Sequence, residues 1–170
     1  MDAIDRKILG LYQRDTRRIA NSIGDEVGLS AAAVQRRLKR LRKTGVIQAE
    51  LALLDNRAIG MPITCIVALK MASAPSRLDR FRRQLQEHSQ VQQCYQVTGS
   101  QDFVVIISAA SMEHYGEFAR QWFEGNEQVA RFETHVVLER VKVGLTLPVD
   151  TETQAVKTVR PQRLKSAKRR

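Results

Sequence analysis

The chain is predicted to be an α+β protein, with a helix–turn–helix head followed by a βαββαβ half. Three observations carry this. A capped, strongly basic amphipathic helix follows a shorter helix and a glycine turn within residues 1–47. Apolar runs and helical stripes then alternate in the order β-α-β-β-α-β between residues 62 and 147. Charge is also partitioned: residues 1–50 carry +5, residues 51–156 carry −2 and residues 157–170 carry +7, for a total of +10 over 170 residues. The expected divisions are 1–47 for the head, 48–61 for a linker containing a strand, 62–147 for the second domain and 148–170 for a basic tail read as disordered.

Residues 2–14 read as the first helix. Ile4, Ile8, Leu9, Leu11 and Tyr12 form its apolar stripe, and Asp2 and Asp5 suit its positive end. A polar break at 15–18 leads to a second helix over about 21–27, which Asn21 is placed to cap. Gly24 inside it costs about 1 kcal/mol relative to Ala unless it serves a close helix approach. Gly28 makes the turn, Ser30 caps the third helix and three alanines propagate it. Val34, Leu38 and Leu41 share one face, and Gly45 ends the helix where a left-handed residue is wanted. Between Glu26 and Glu50 there are six basic residues and no acid. A solvated surface helix ordinarily mixes signs, so this face points to an anionic partner, a nucleic acid. A plain helical hairpin with a basic outer face is the alternative.

Residues 46–54 read as extended and turn at Asp55 and Asn56. The apolar run at 63–71 reads as a strand buried on both faces. A loop at 72–76 precedes a helix carrying Leu78, Phe81, Leu85 and His88. A strand at 91–98, a turn at 99–102 and a strand at 103–110 follow. Tyr115, Phe118, Trp122 and Phe123 fall on one side of a helix over 112–124, and 131–147 reads as a final strand or strand pair. This is the split-βαβ, ferredoxin-like plan: two helices cover one face of the sheet and leave the other polar or open to a partner.

No apolar run is long enough to span a bilayer and no signal peptide opens the chain, so no membrane partner and a cytoplasmic location are expected. Cys65 and Cys94 read as two buried thiols, with a disulfide as the alternative; their spacing does not resemble a zinc site. His88, His114 and His135 are scattered, and no nucleophile–base, metal-ligand or P-loop spacing occurs. The expectation is therefore no enzyme, no metal and no cofactor, an amino-acid effector aside.

In this order and spacing, Asp5-Arg6-Lys7-Ile8-Leu9, Val27-Gly28-Leu29-Ser30, Val34-Gln35-Arg36-Arg37-Leu38-Lys39-Arg40-Leu41, Gly45-Val46-Ile47 and Thr98-Gly99 with Asp102-Phe103 resemble the Lrp/AsnC feast–famine regulators over residues 2–147. The resemblance implies a winged helix–turn–helix on double-stranded DNA and a RAM-type second domain. It also implies homodimers that assemble into rings such as octamers, and an amino acid or similar small-molecule effector bound at subunit contacts. Residues 30–44 match the family's recognition helix, and Gly99 and Asp102 match the loop that borders its effector site. Two departures stand out. Ala31 occupies a position where the family often has proline, and Ser100 and Gln101 lie where many members carry an acidic or aromatic residue.

Ser30, Ala32, Gln35, Arg36 and Lys39 are expected to reach base edges, with Arg36 suited to guanine and Gln35 to adenine. Arg40, Arg42 and Lys43 are expected to hold phosphates. Arg37 lies nearer the buried side and reads equally as a donor within the protein. At the loop of Gly99, Ser100, Gln101 and Asp102, backbone N–H groups would take an effector carboxylate and Asp102 its ammonium; a simple hairpin turn is the alternative. The expected function is sequence-specific transcriptional regulation. The alternative is an architectural protein that coats DNA with little sequence preference. Its argument is the tail, whose seven cations contact phosphate without reading bases or else only solubilise.

Overall fold

The computed structural model describes residues 1–72 and 78–149. The tail read as disordered lies, from residue 150 onward, outside the described residues. The described residues divide into two compact units, 1–51 with 144–149, and 52–72 with 78–143.

In the first unit three helices form, α1 at Ala3–Tyr12, α2 at Ala20–Val27 and α3 at Ala31–Lys43. Their apolar stripes converge on Ile8, Tyr12, Ile23, Val34 and Leu38, all buried. Helix α1 opens on a reciprocal cap: Asp5 N–H donates to the Asp2 carboxylate at 2.7 Å and Asp2 N–H donates to the Asp5 carboxylate at 3.0 Å. Helix α2 begins one residue before the expected start. Its cap position is Ile19, with extended backbone and no side-chain cap, so Asn21 lies inside the first turn and does not cap. Gly24 proves to be a close-approach glycine, because a Cβ there would stand 2.3 Å from the Leu29 carbonyl oxygen. Gly28 ends α2 with φ 70°, and Ser30 caps α3, accepting the Ala33 N–H at 3.3 Å. Gly45 follows α3 with φ 72°, as the sequence requires.

The extended stretch at 46–54 departs from expectation, since no strand is formed between residues 44 and 62. An extended segment becomes a strand only when a neighbouring backbone completes its hydrogen bonds. Among the described residues, no strand ladder includes this segment.

The second unit holds β1 Ile63–Met71, α4 Asp79–Glu87, β2 Val91–Gln96, β3 Phe103–Ala109, α5 Met112–Ala119 with a π-helical turn at Arg120–Glu124, and β4 Val129–Val136. The sheet is antiparallel in the order β2-β3-β1-β4. Cys65, Val67 and Leu69 alternate inward on β1 and meet Phe103, Val105 and Ile107 of β3, Phe81 and Leu85 of α4, and Phe118 and Phe123. The opposite face is open, so β1 is buried on one face and not on both. Ile66 is 37% exposed there, opposite Ile106, and Lys70 is exposed. Strand β4 stops at Val136, which corrects the longer strand or strand pair expected to 147; Leu138 and Val141 beyond it are exposed. Cys65 and Cys94 are free thiols.

Candidate nucleic-acid interface

The buried seam of α3, Val34, Leu38 and Leu41, fixes which way its other side chains point. Ser30, Ala32, Gln35, Arg36, Lys39, Arg40, Arg42 and Lys43 are all exposed, whereas Arg37 is half-buried. The six cations of this helix are not equivalent. Arg37 Nη1 donates to Asp2 at 2.6 Å and to Asp5 at 2.8 Å. Arg40 Nη2 donates to both Asp5 oxygens, at 2.7 and 2.6 Å. Arg42 donates through Nε to Glu50 at 2.8 Å and through Nη2 to the Tyr12 hydroxyl at 2.7 Å, with its guanidinium 5.5 Å from the Tyr12 ring centre. Arg36, Lys39 and Lys43 make no ion pair among the described residues.

The Asp5 side chain is fully buried beneath this lattice. Burial alone would push its carboxyl up, but hydrogen bonds from Asp2 N–H and Arg37 and the charge of Arg40 hold it below the usual aspartate value. Asp2 is held low chiefly by its hydrogen bond from Arg37, and Glu50 by its hydrogen bond from Arg42. Three acids of the head thus orient three of the six cations and leave the other three to solvent. Beside the free set lies a concavity of about 590 Å³, lined by Thr16, Arg17, Gln35, Lys39 and Arg42 among others. Its wall at Thr16 and Arg17 belongs to the α1–α2 connection, which periodicity had marked only as a polar break.

A second set of residues gathers at one end of the sheet, where β1 and β2 finish and β3 and β4 begin. Gly99 turns there with φ 110°, and Ser100 is exposed. Asp102 N–H donates to the Leu69 carbonyl at 2.8 Å, and its carboxylate accepts the Met71 N–H at 2.8 Å. Lys70 Nζ pairs with the same carboxylate at 3.2 Å. The Met71 N–H, then Lys70, hold this carboxyl below its usual value. Asp102 therefore ties the loop to β1, where the ladder with β4 shifts register, and its carboxylate is already partnered. Gln128 reaches the same end, its carbonyl accepting the Ala72 N–H at 2.8 Å. A cleft of about 440 Å³ lies between α4 and the connection from the π-helical turn to β4, lined by Gln84, Trp122, Asn126 and Glu127, among others, and by none of residues 99–102.

Both halves match described families, residues 1–42 the AsnC-type helix-turn-helix domain and residues 64–147 the Lrp/AsnC ligand binding domain. The chain is 38% identical over 151 residues to the HTH-type transcriptional regulator y4tD of Sinorhizobium fredii, covering 88% of this chain and 89% of that one. The chain belongs to the Lrp/AsnC family. It is 28% identical over 151 residues to the DNA-binding transcriptional activator DecR of Escherichia coli K12, covering 88% of this chain and 99% of that one. A crystal structure of an AsnC family transcriptional regulator from Agrobacterium tumefaciens superposes with TM-score 0.80 at 27% identity, over 88% of this chain and 98% of the other. A transcriptional regulator of Neisseria meningitidis in complex with L-Met has the same fold, with TM-score 0.81 at 23% identity over 88% and 97% of the two chains. This Lrp/AsnC chain is thus a helix-turn-helix transcriptional regulator whose second half is a ligand-binding domain.

Within this regulator, the residues expected to read DNA gather on one exposed helix face, but Arg40 and Arg42 are engaged within the head. Asp2 and Asp5 are the functional residues that sequence reasoning missed. Their role as helix-end acids was visible, yet Arg37 and Arg40 meet them across 32 and 35 residues of chain.

Proposed function

We propose that this regulator binds DNA as a homodimer, with two α3 helices in successive major grooves about one helical turn apart. Gln35, Arg36 and Lys39, with Ser30 and Ala32 at the helix start, face the base edges. Lys43, and Arg40 and Arg42 through donors left over from their internal partners, contact phosphates. The observation that carries this reading is the sorting of α3's charge: internal acids occupy Arg37, Arg40 and Arg42, while Arg36, Lys39 and Lys43 remain available for an anion. The open sheet face supports a dimer. Ile66, Ala68, Val104 and Ile106 form its apolar centre, with Tyr95 half-exposed beside them on β2. Rings of dimers such as octamers extend the same logic, and the cytoplasm is the compartment in which such a protein meets its operator.

The effector we propose is a free amino acid held at the loop end of the sheet. Backbone N–H groups of Gly99, Ser100 and Gln101 would bind its carboxylate, and Asp102 shapes the loop from behind. The L-Met bound by the Neisseria regulator supports this ligand class. Binding to DNA upstream of the gene is tested against a scrambled duplex of equal length, at near-physiological salt and with each amino acid added in turn. Preference for the upstream duplex, altered by one amino acid, is the expected result. Equal binding to both duplexes would favour an architectural protein.

A further inference from the structure

The concavity of about 590 Å³ on the head is walled on one side by the α1–α2 connection and on the other by α3. Four cations line it, Arg17, Arg18, Lys39 and Arg42, and among the described residues no acid does. The acids that pair with three of them, Asp15, Glu26 and Glu50, lie outside its lining. Those pairs leave donors over. Arg17 engages Asp15 through Nε at 3.3 Å, which leaves both of its Nη groups. Arg42 engages Glu50 through Nε and Tyr12 through Nη2, which leaves Nη1. Lys39 makes no ion pair among the described residues, and Thr16 is exposed. The α1–α2 connection is itself held in shape. Asp15 Oδ1 accepts the Arg17 N–H at 2.9 Å and the Asp15 carbonyl accepts the Arg18 N–H at 3.3 Å, a turn that fixes Thr16 and Arg17 in the wall. The Arg17 side chain is 92% exposed, so packing within the head does not account for it. Guanidinium forks, an ammonium and a hydroxyl around one concavity suit a phosphate anion. The α3 wall carries Gln35 and Lys39, which face base edges in the function proposed above. A strand whose bases meet those two side chains runs its backbone along the edge of the groove, beside the α1–α2 connection.

We propose that this concavity seats one backbone phosphate of the bound duplex, with Thr16 and Arg17 as its ligands from outside the recognition helix. The inference rests on the DNA-binding reading above and adds the α1–α2 connection to the surface that meets DNA. Arg17 brings charge to the phosphate and Thr16 brings a neutral O–H donor. Such a contact fixes the register of α3 on the groove and adds salt dependence, but it reads no base.

The test uses the full-length chain and its Arg17→Ala, Thr16→Val and Thr16→Ser variants on a duplex from upstream of the gene. Phosphates of that duplex are replaced one at a time by neutral methylphosphonates, and binding is followed from 50 to 200 mM salt. For the unaltered chain, one replaced phosphate should weaken binding and make the log–log salt slope shallower by about 0.9, which is about 3.5-fold in affinity across that range. Arg17→Ala should show the shallower slope on the unmodified duplex and should no longer respond to that replacement. Thr16→Val should bind the unmodified duplex about tenfold more weakly with its slope unchanged, a signature that lost charge does not give. Thr16→Ser, which keeps the hydroxyl, should bind as the unaltered chain does. Inorganic phosphate should weaken binding no more than chloride of equal ionic strength. The inference fails if Arg17→Ala still responds to the same phosphate or keeps the full slope. It fails too if inorganic phosphate displaces the duplex while no methylphosphonate matters, since the concavity would then hold a free anion. If the unaltered chain binds no duplex at all, the DNA-binding reading falls as well; a chain that binds its duplex equally with and without Arg17 removes this contact alone.

Discussion

Replacing Asp5 with alanine should loosen the head and leave the sheet intact. The Asp5 carboxylate is fully buried and accepts from Asp2 N–H at 3.0 Å, from Arg37 at 2.8 Å and from Arg40 at 2.7 and 2.6 Å. Breaking a fully buried ion pair costs about 3–5 kcal/mol because a charge is left stranded. Here the stranded groups are side chains 24% and 54% exposed, which water can still reach. That discounts the loss to about 2–3 kcal/mol. Hydrogen exchange reads it directly: protection of amides in α1 and α3 should fall by about 30- to 150-fold, and amides of the four strands should be unchanged. The pH dependence has a definite sign. Both Asp2 and Asp5 are held below their ordinary value in the folded head, so their contribution is complete above about pH 3.8 and is lost as pH falls through the folded values. Asp5→Ala should remove Asp5's part of that acid sensitivity. Protection in α1 and α3 unchanged within threefold, or loss spread equally into the sheet, would refute the reasoning.

Gly24→Ala should be worse than its helix propensity suggests, because the new Cβ meets a backbone carbonyl oxygen at 2.3 Å. Displacing the α2–α3 turn should cost at least 1–3 kcal/mol, read as a lowered melting transition of the helical head; a gain in stability would contradict it. Arg36→Ala should cost about 1–3 kcal/mol on target DNA and relax specificity, whereas Lys43→Ala should weaken all duplexes alike and lower the salt slope by about one. Unchanged preference in Arg36→Ala would sink the assignment. His88 lies with its ring centre 4.8 Å from Phe118 and 5.2 Å from Trp122, and its Nδ1 accepts the Gln90 N–H at 3.2 Å. Burial lowers its pKa, so its neutral form contributes stability above about pH 6.5 that is lost as pH falls below that value. Fluorescence of Trp122, the only tryptophan, should report protonation with a midpoint below 6.5 that vanishes in His88→Gln; a midpoint at or above 6.5 would count against this.

The elements whose signals lie within a few residues were legible in the sequence. Ser30 as a cap, the three-and-four spacing of Val34, Leu38 and Leu41, and the left-handed Gly28 and Gly45 are local properties of the chain, and α3 formed accordingly. The βαββαβ order followed from apolar periodicity in the same way. The miss at Asn21 has a local cause too: Asn21 is a good cap by type, but the backbone turned extended at Ile19.

Sequence alone determined that one helix face carries cations of a single sign. Tertiary structure decided which of them are spoken for. Arg37 and Arg40 meet Asp5 across 32 and 35 residues, and Gln13 meets Leu147 across 134, pairings that no periodicity encodes. Asp102 likewise reads in sequence as a partner for an effector ammonium or as a hairpin-turn residue, whereas in the fold its carboxylate accepts the Met71 N–H of β1. Residues 46–54 and 137–147 have strand-like composition yet lie outside the described sheet. Caps and helical stripes are satisfied by neighbours in the chain, whereas ion pairs and strand ladders require partners that only the folded chain brings together.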